Sequence, residues 1–154
     1  MSQSLSQIWV HIIFSTRDRY PFFKELSLQK RVHDYLKVTC QKQQCNPISV
    51  GGTEDHIHLL AKLHKNISLS KFVEEIKTAS SKWIKTLANS KNELDRFYWQ
   101  SGYGAFSVSQ FQMERVNSYI NNQHQHHQKQ IFQDELKDFL VRYGIQYDEK
   151  YLWT

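Results

Sequence analysis

Residues 46–63 read "NPISVGGTEDHIHLLAKL", and two strands with a short turn between them account for the stretch. Residues 46–52 form a short strand ended by a Gly-Gly turn, and residues 56–63 ("HIHLLAKL") form a longer one, so the pair predicts a hairpin or close neighbours in one sheet. Successive side chains of a strand alternate faces. His56 and His58 therefore share one surface, with Ile57 between them on the other.

The flanking elements alternate in type. "QIWVHIIFS" (7–15) is β-branched and aromatic enough for a strand, and in 26–40 Leu28, Val32, Leu36 and Cys40 recur at helical spacing. Across 68–87 the residues Leu69, Phe72, Val73, Ile76, Trp83, Ile84 and Leu87 make one apolar stripe. "GAFSVSQF" (104–111) alternates as a fourth strand, and 113–123 restarts helical periodicity through Met113, Val116 and Ile120. A last helix over 132–144 is stopped by Gly144. The order βαββαβα predicts an α+β two-layer sandwich, ferredoxin-like or RRM-like, with a four-stranded, mainly antiparallel sheet and helices on one face.

At 154 residues the chain is the size of one domain, expected to span 1–154, and 5 Gly and 2 Pro leave no linker-like segment. The two cysteines, Cys40 and Cys45, form neither a disulfide framework nor a CxxC metal motif and suit a reducing cytosol. "IWVHIIF" lacks a basic flank and a cleavage site, so it reads as a strand and not as a signal peptide or membrane span. A cytoplasmic protein is expected. Twenty Lys and Arg against 15 Asp and Glu give a net charge of +5, and with 14% aromatic residues this suits a polyanion whose bases can stack.

Two neutral imidazoles on one strand face can hold a divalent metal and leave coordination positions open. On the helix at 113–123, Tyr119 and Gln123 are i and i+4, one stripe beside the core-facing Val116 and Ile120. A tyrosine of pKa about 10 is a poor nucleophile at neutral pH and needs a polarised electrophile. A metal next to it would supply that.

The combination of "HIH" on a strand and "YINNQ" on a later helix, with "FYWQSGYGAFSVSQ" between, resembles the single-tyrosine HUH transposases of the insertion sequence 200/605 class and their relatives that mobilise repetitive extragenic palindromes. The resemblance runs over nearly the whole chain. It implies that His56 and His58 bind Mg²⁺ or Mn²⁺, that Tyr119 is the nucleophile and that Gln123 is the third, amide ligand. It further implies a homodimer acting on single-stranded DNA beside a subterminal hairpin, through a 5′-phosphotyrosine and a free 3′-hydroxyl, with association with the nucleoid during function. The phosphotyrosyl ester conserves bond energy, so a second strand's 3′-hydroxyl can displace Tyr119 without ATP. The repeat-mobilising relatives usually have Asn-Pro where this chain has Gln123 and His124, which favours the insertion-sequence branch. The polar segment 121–133 could be a hinge that lets the tyrosine helix complete its own or its neighbour's site.

Other residues carry two readings each. Tyr103, in a Gly-flanked turn, is the rival nucleophile or a base-stacking residue. Asp55 is a turn cap or an acceptor for a ligating imidazole. Lys71, Lys82 and Lys85 form a solvated helix face or a phosphate contact, and Arg17 and Arg19, just past the first strand, are candidates for the DNA backbone. His127 falls on the Tyr119–Gln123 stripe if that helix continues. Trp99 is a core residue before it is a stacking platform. Two alternative functions stay open: a catalytically inactive DNA-hairpin-binding regulator of the same fold, and an unrelated α+β metal protein that binds Zn²⁺ without DNA. The set His56, His58, Tyr119 and Gln123 argues against the regulator, since a binding module has no need of all four.

Overall fold

The apolar alternation of the sequence becomes a four-stranded sheet in the computed structural model, which describes residues 2–123 and 130–152. The strands are β1 (Ile8–Ser15), β2 (Asn46–Gly52), β3 (His56–Leu63) and β4 (Gly104–Val108). The helices are α1 (Leu26–Lys42), α2 (Leu69–Thr86), α3 (Met113–Asn121) and α4 (Phe132–Arg142). Sheet order is β2-β3-β1-β4 and every pairing is antiparallel. The α+β class and the antiparallel sheet match the expectation.

Register decides which layer each side chain joins, because directly opposed residues of an antiparallel pair share a face. Ile13 opposes His58, Ser15 opposes His56, and His11 opposes both Leu60 and Phe106. These residues form one face. Val10, Ile12, Phe14, Ile57, Leu59 and Ala61 form the other, and they are buried against Val32, Leu36 and Cys40 of α1 and Phe72, Val73, Ile76 and Ile84 of α2. Each fully buried side chain of this size contributes about 1.5–3 kcal/mol, so the α1/α2 layer is the main core.

The site-bearing face is covered as well, which corrects the expectation of helices on one face. Ile120 of α3 packs on Leu60 and Val108, and Phe132, Leu136 and Leu140 of α4 pack on Ile13 and Phe106. The physical reason lies in β1, where six consecutive residues from Val10 to Ser15 are buried. A strand apolar on both sides needs cover on both.

Local chemistry sets the element ends. Ser68 caps α2 by accepting the Lys71 N–H at 3.1 Å. At the end of α1, Gln44 adopts φ 58° and lets the Cys45 N–H reach the Cys40 carbonyl at 3.0 Å, and Gly144 (φ 64°) does the same for α4, with the Ile145 N–H on the Leu140 carbonyl at 2.9 Å. Trp99 is core: its Nε1–H donates to the buried Ser80 Oγ at 2.9 Å and its ring meets Phe14 edge-on. β4 is shorter than the alternation of 104–111 predicts. After Val108 the chain enters a 3₁₀ turn at Gln110–Gln112 that leads directly into α3.

The Gly-Gly pair does more than turn the chain. A Cβ on Gly51 would stand 2.3 Å from the Ile120 carbonyl oxygen, so α3 lies on β2 at backbone contact. Gly51 opposes His58. Gly52, at φ 152°, would place a Cβ 2.1 Å from the His56 carbonyl oxygen. Glycine at 51 lets α3 lie against β2 beside the histidine pair, and glycine at 52 lets the turn close against His56.

Candidate active site

His56 and His58 project from β3 into the layer between the sheet and the helices α3 and α4, and neither is exposed to solvent. Each ring has one nitrogen engaged away from the site. His56 Nδ1 is 2.8 Å from Asp55 Oδ1 and 3.0 Å from Thr53 Oγ1, and the turn that carries both partners is pinned to the end of β1 by the Thr16 N–H on the Asp55 carbonyl at 2.8 Å. His58 Nδ1 is 2.9 Å from His11 Nε2. Both Nε2 atoms therefore face the same space.

Two oxygens face them. Gln123 Oε1 is 3.1 Å from His56 Nε2, oriented by the Gln123 amide donating to the Tyr119 carbonyl at 3.3 Å. Glu135 Oε1, from α4, is 2.8 Å from His58 Nε2. The ligating atoms of His56, His58 and Glu135 all lie within 4.8 Å of one another. When His56 donates from Nδ1 to Asp55, its Nε2 and the Gln123 oxygen confront each other as two acceptors, a pairing that a cation between them resolves. Two imidazoles with an amide oxygen and a carboxylate form a mixed N/O set that fits a divalent metal, and the oxygens suit Mg²⁺ or Mn²⁺.

Tyr119 completes the constellation. Its ring lies edge-on to His58 with centroids 5.6 Å apart, and its hydroxyl donates to the Glu135 carboxylate. Burial in the first place, and then the Glu135 charge and hydrogen bond, hold the Tyr119 pKa well above its ordinary value. His11 is pushed the other way: burial, reinforced by His58 and opposed by Glu135, lowers its pKa well below that of a free imidazole. It is thus a neutral ring whose Nε2 can accept a hydrogen bond from the His58 Nδ1–H. Phe132 stacks on His56 at 4.6 Å and closes that side. Two clefts open beside the site, one of about 220 Å³ reaching Gln123 past Gly51 and Gly52, the other of about 200 Å³ reaching Tyr119 between α3 and α4.

The structure brings His56, His58, Tyr119 and Gln123 together and puts Asp55 on His56. Tyr103 is elsewhere, on the loop before β4, with Lys77 5.7 Å from its ring centroid. Arg17 and Lys85 both sit on the Tyr98 ring, 4.3 and 4.0 Å from its centroid. Lys82 and Lys85 line a cleft of about 350 Å³ with Lys77 and Trp99. Lys71 pairs with Glu75 at 3.0 Å on the solvent face of α2. Arg19 closes the 3₁₀ turn after β1. His127 lies outside the described residues. Sequence reasoning missed Glu135, His11 and the Gly51 contact. The available signal for Glu135 was a carboxylate on an apolar stripe, between Phe132 and Phe139 at i−3 and i+4. For His11 it was a lone imidazole inside an apolar strand.

A model of the family described as "Transposase IS200 like" matches residues 4–123. The chain belongs to the IS200-like transposase family. The match ends on Gln123, so it includes the histidine pair, Tyr119 and Gln123 and leaves out α4 with Glu135. Among solved structures, a protein described as a transposase from Deinococcus radiodurans R1 superposes with a TM-score of 0.60 at 19% identity, over 80% of this chain and 98% of that one. The REP-associated tyrosine transposase bound to a REP hairpin gives 0.58 at 14% identity, over 82% of this chain and 74% of that one. At these identities the two structures share the fold. No curated protein matches the chain. Among the described residues of this transposase, no helix is long and apolar enough to cross a membrane.

Proposed function

We propose that this family member, acting as a single domain over 1–154, cleaves and rejoins single-stranded DNA at the ends of an insertion sequence through a 5′-phosphotyrosine on Tyr119. The observation that carries the reading is the convergence of His56 Nε2, His58 Nε2, Gln123 Oε1 and the Tyr119 hydroxyl in one buried site. In the reaction the Tyr119 hydroxyl gives up its proton and its oxygen forms a bond to the scissile phosphorus, while the bond from phosphorus to the 3′-oxygen breaks and that oxygen takes up a proton to leave as a hydroxyl. Strand transfer reverses this with a new 3′-hydroxyl. His56, His58 and Gln123 would hold a Mg²⁺ or Mn²⁺ ion, with Glu135 as a fourth donor, and when bound the ion supplies charge stabilisation at the scissile phosphate. Asp55 and His11 fix the two rings from behind.

The DNA partner in this reading is a single strand beside a hairpin. One structural relative is bound to a REP hairpin, and Arg17 and Lys85, clasping Tyr98, offer a basic surface with an aromatic face. The second copy of a homodimer would cover the outer edge of β4, beside which Phe111 is 97% exposed. The cytoplasm is the expected setting.

The test incubates wild type and Tyr119→Phe with Mg²⁺ or Mn²⁺ and single-stranded oligonucleotides tiling both flanks of the gene, and looks for a covalent adduct on a denaturing gel. An adduct that vanishes in Tyr119→Phe and on chelation is expected. One that survives the substitution moves the nucleophile to another tyrosine and overturns the assignment, and tight hairpin binding with no adduct supports the regulator instead.

A further inference from the structure

The cleft of about 200 Å³ that reaches Tyr119 has His11, Arg115, Tyr119, Phe139, Arg142 and Tyr143 in its walls. Its two cations come from different helices. Arg115 precedes Tyr119 by one helical turn of α3 and lies on the same stripe. Arg142 follows Phe139 by three residues on α4, its guanidinium 5.8 Å from that ring's centroid, and its charge is felt at the Tyr119 hydroxyl. Both arginines are exposed, and among the described residues neither is in an ion pair. The aromatic wall is stiff: Phe106 stacks on Tyr143 at 4.7 Å and on Phe139 at 5.5 Å.

We propose that this cleft is a phosphodiester-binding subsite, in which Arg115 and Arg142 take the DNA backbone phosphate next to the one that Tyr119 attacks. The inference rests on the function proposed above and deepens it. Three features select the ligand. Planar guanidinium groups match phosphate oxygens in a forked geometry. The cleft is smaller than the 300 Å³ or so at which sites for free small molecules begin, which suits one backbone unit of a longer strand. It also opens on the nucleophile's ring, so a strand lying in it is delivered to the hydroxyl. Arg142 belongs to α4, outside the family match, which makes the C-terminal helix part of the DNA-binding surface.

The experiment measures binding of a fluorescein-labelled single-stranded oligonucleotide by anisotropy across about 50–200 mM salt. It compares wild type, Arg115→Gln, Arg142→Gln, the double variant and Lys42→Gln, which removes an exposed charge from the far end of α1. Removing one phosphate interaction with a single strand lowers the slope of log affinity against log salt by roughly 0.7. The single variants are expected to show about that decrease and the double variant about twice as much, while Lys42→Gln keeps the wild-type slope. A double variant with the wild-type slope, or a Lys42→Gln slope lowered equally, overturns the subsite. The covalent-adduct assay on the same oligonucleotides separates the two readings. If wild type forms the adduct and the double variant keeps its slope, the subsite alone falls, whereas a wild type that neither binds nor forms an adduct takes both down.

Discussion

Gly51→Ala tests how the nucleophile is positioned. The added Cβ would stand 2.3 Å from the Ile120 carbonyl oxygen and 3.0 Å from Ile120 Cγ2. Ordinary contact begins at 3.4 Å, and the colliding partner is backbone, so α3 has to withdraw by 3.4 − 2.3 = 1.1 Å. Overpacking of this kind costs about 1–3 kcal/mol, which for a chain of this size lowers the melting temperature by roughly 2 to 12 °C. Tyr119 adjoins Ile120, and Gly51 opposes His58, so the same displacement opens the gap between hydroxyl and histidines. A misplacement of about 1 Å costs on the order of 100-fold in rate. The assay pairs a thermal melt with the initial rate of covalent adduct formation, taken well below the melting temperature of both proteins. An unchanged melting temperature refutes the backbone contact. A lowered one with a wild-type rate refutes the claim that this contact sets the geometry of Tyr119.

Further outcomes follow from individual contacts. His11→Phe removes the partner of His58 Nδ1, and Mn²⁺ affinity, read by EPR titration, should fall about 10- to 100-fold; unchanged affinity would show that His11 only fills space. Ser80→Ala strands the buried Trp99 Nε1–H and should cost about 1–3 kcal/mol in urea denaturation with no change in slope. Lys77, donating to the Gln100 and Gly102 carbonyls at 2.9 and 2.7 Å, has its pKa lowered by burial to about 8 from 10.5. The unfolded state then binds more protons between pH 8 and 10.5, so this group makes stability rise with pH across that window. NMR of reductively ¹³C-methylated lysines should show one amine titrating near 8, and a full set of ordinary lysine titrations would contradict the burial argument.

Much of this arrangement was legible because period alone encodes it. The alternation in 56–63 put His56 and His58 on one face, independent of how the elements pack, whereas the single helix expected over 113–123 ends at Asn121 and Gln123 reaches the site from just past its cap. Asp55 was readable as a local partner, being adjacent to His56. What could not be read depended on packing between elements distant in sequence. Glu135 reaches His58 only because α4 docks on Ile13 and Phe106, and His11 reaches it only through the β1–β3 register. The double-sided burial of β1 has a trace in "IWVHIIFS", where apolar residues occupy both faces and only His11 and Ser15 interrupt them. The order of elements did not reveal the second helical layer.

The pairing of β1 with β3 also acts as a form of proofreading. A slip of one residue would turn every side chain of β3 to the opposite face. His56 and His58 would then enter the dry layer under α1 and α2, each losing its hydrogen bonds at about 1–3 kcal/mol, while Ile57 and Leu59 would be forced into the polar pocket beneath α3 and α4 that the two rings had filled, a misfit of about 1–3 kcal/mol apiece. Those losses are comparable with the whole stability of a small domain. A misregistered chain therefore does not persist as a folded protein with a faulty site: the step that secures the core also aims both imidazoles at Tyr119.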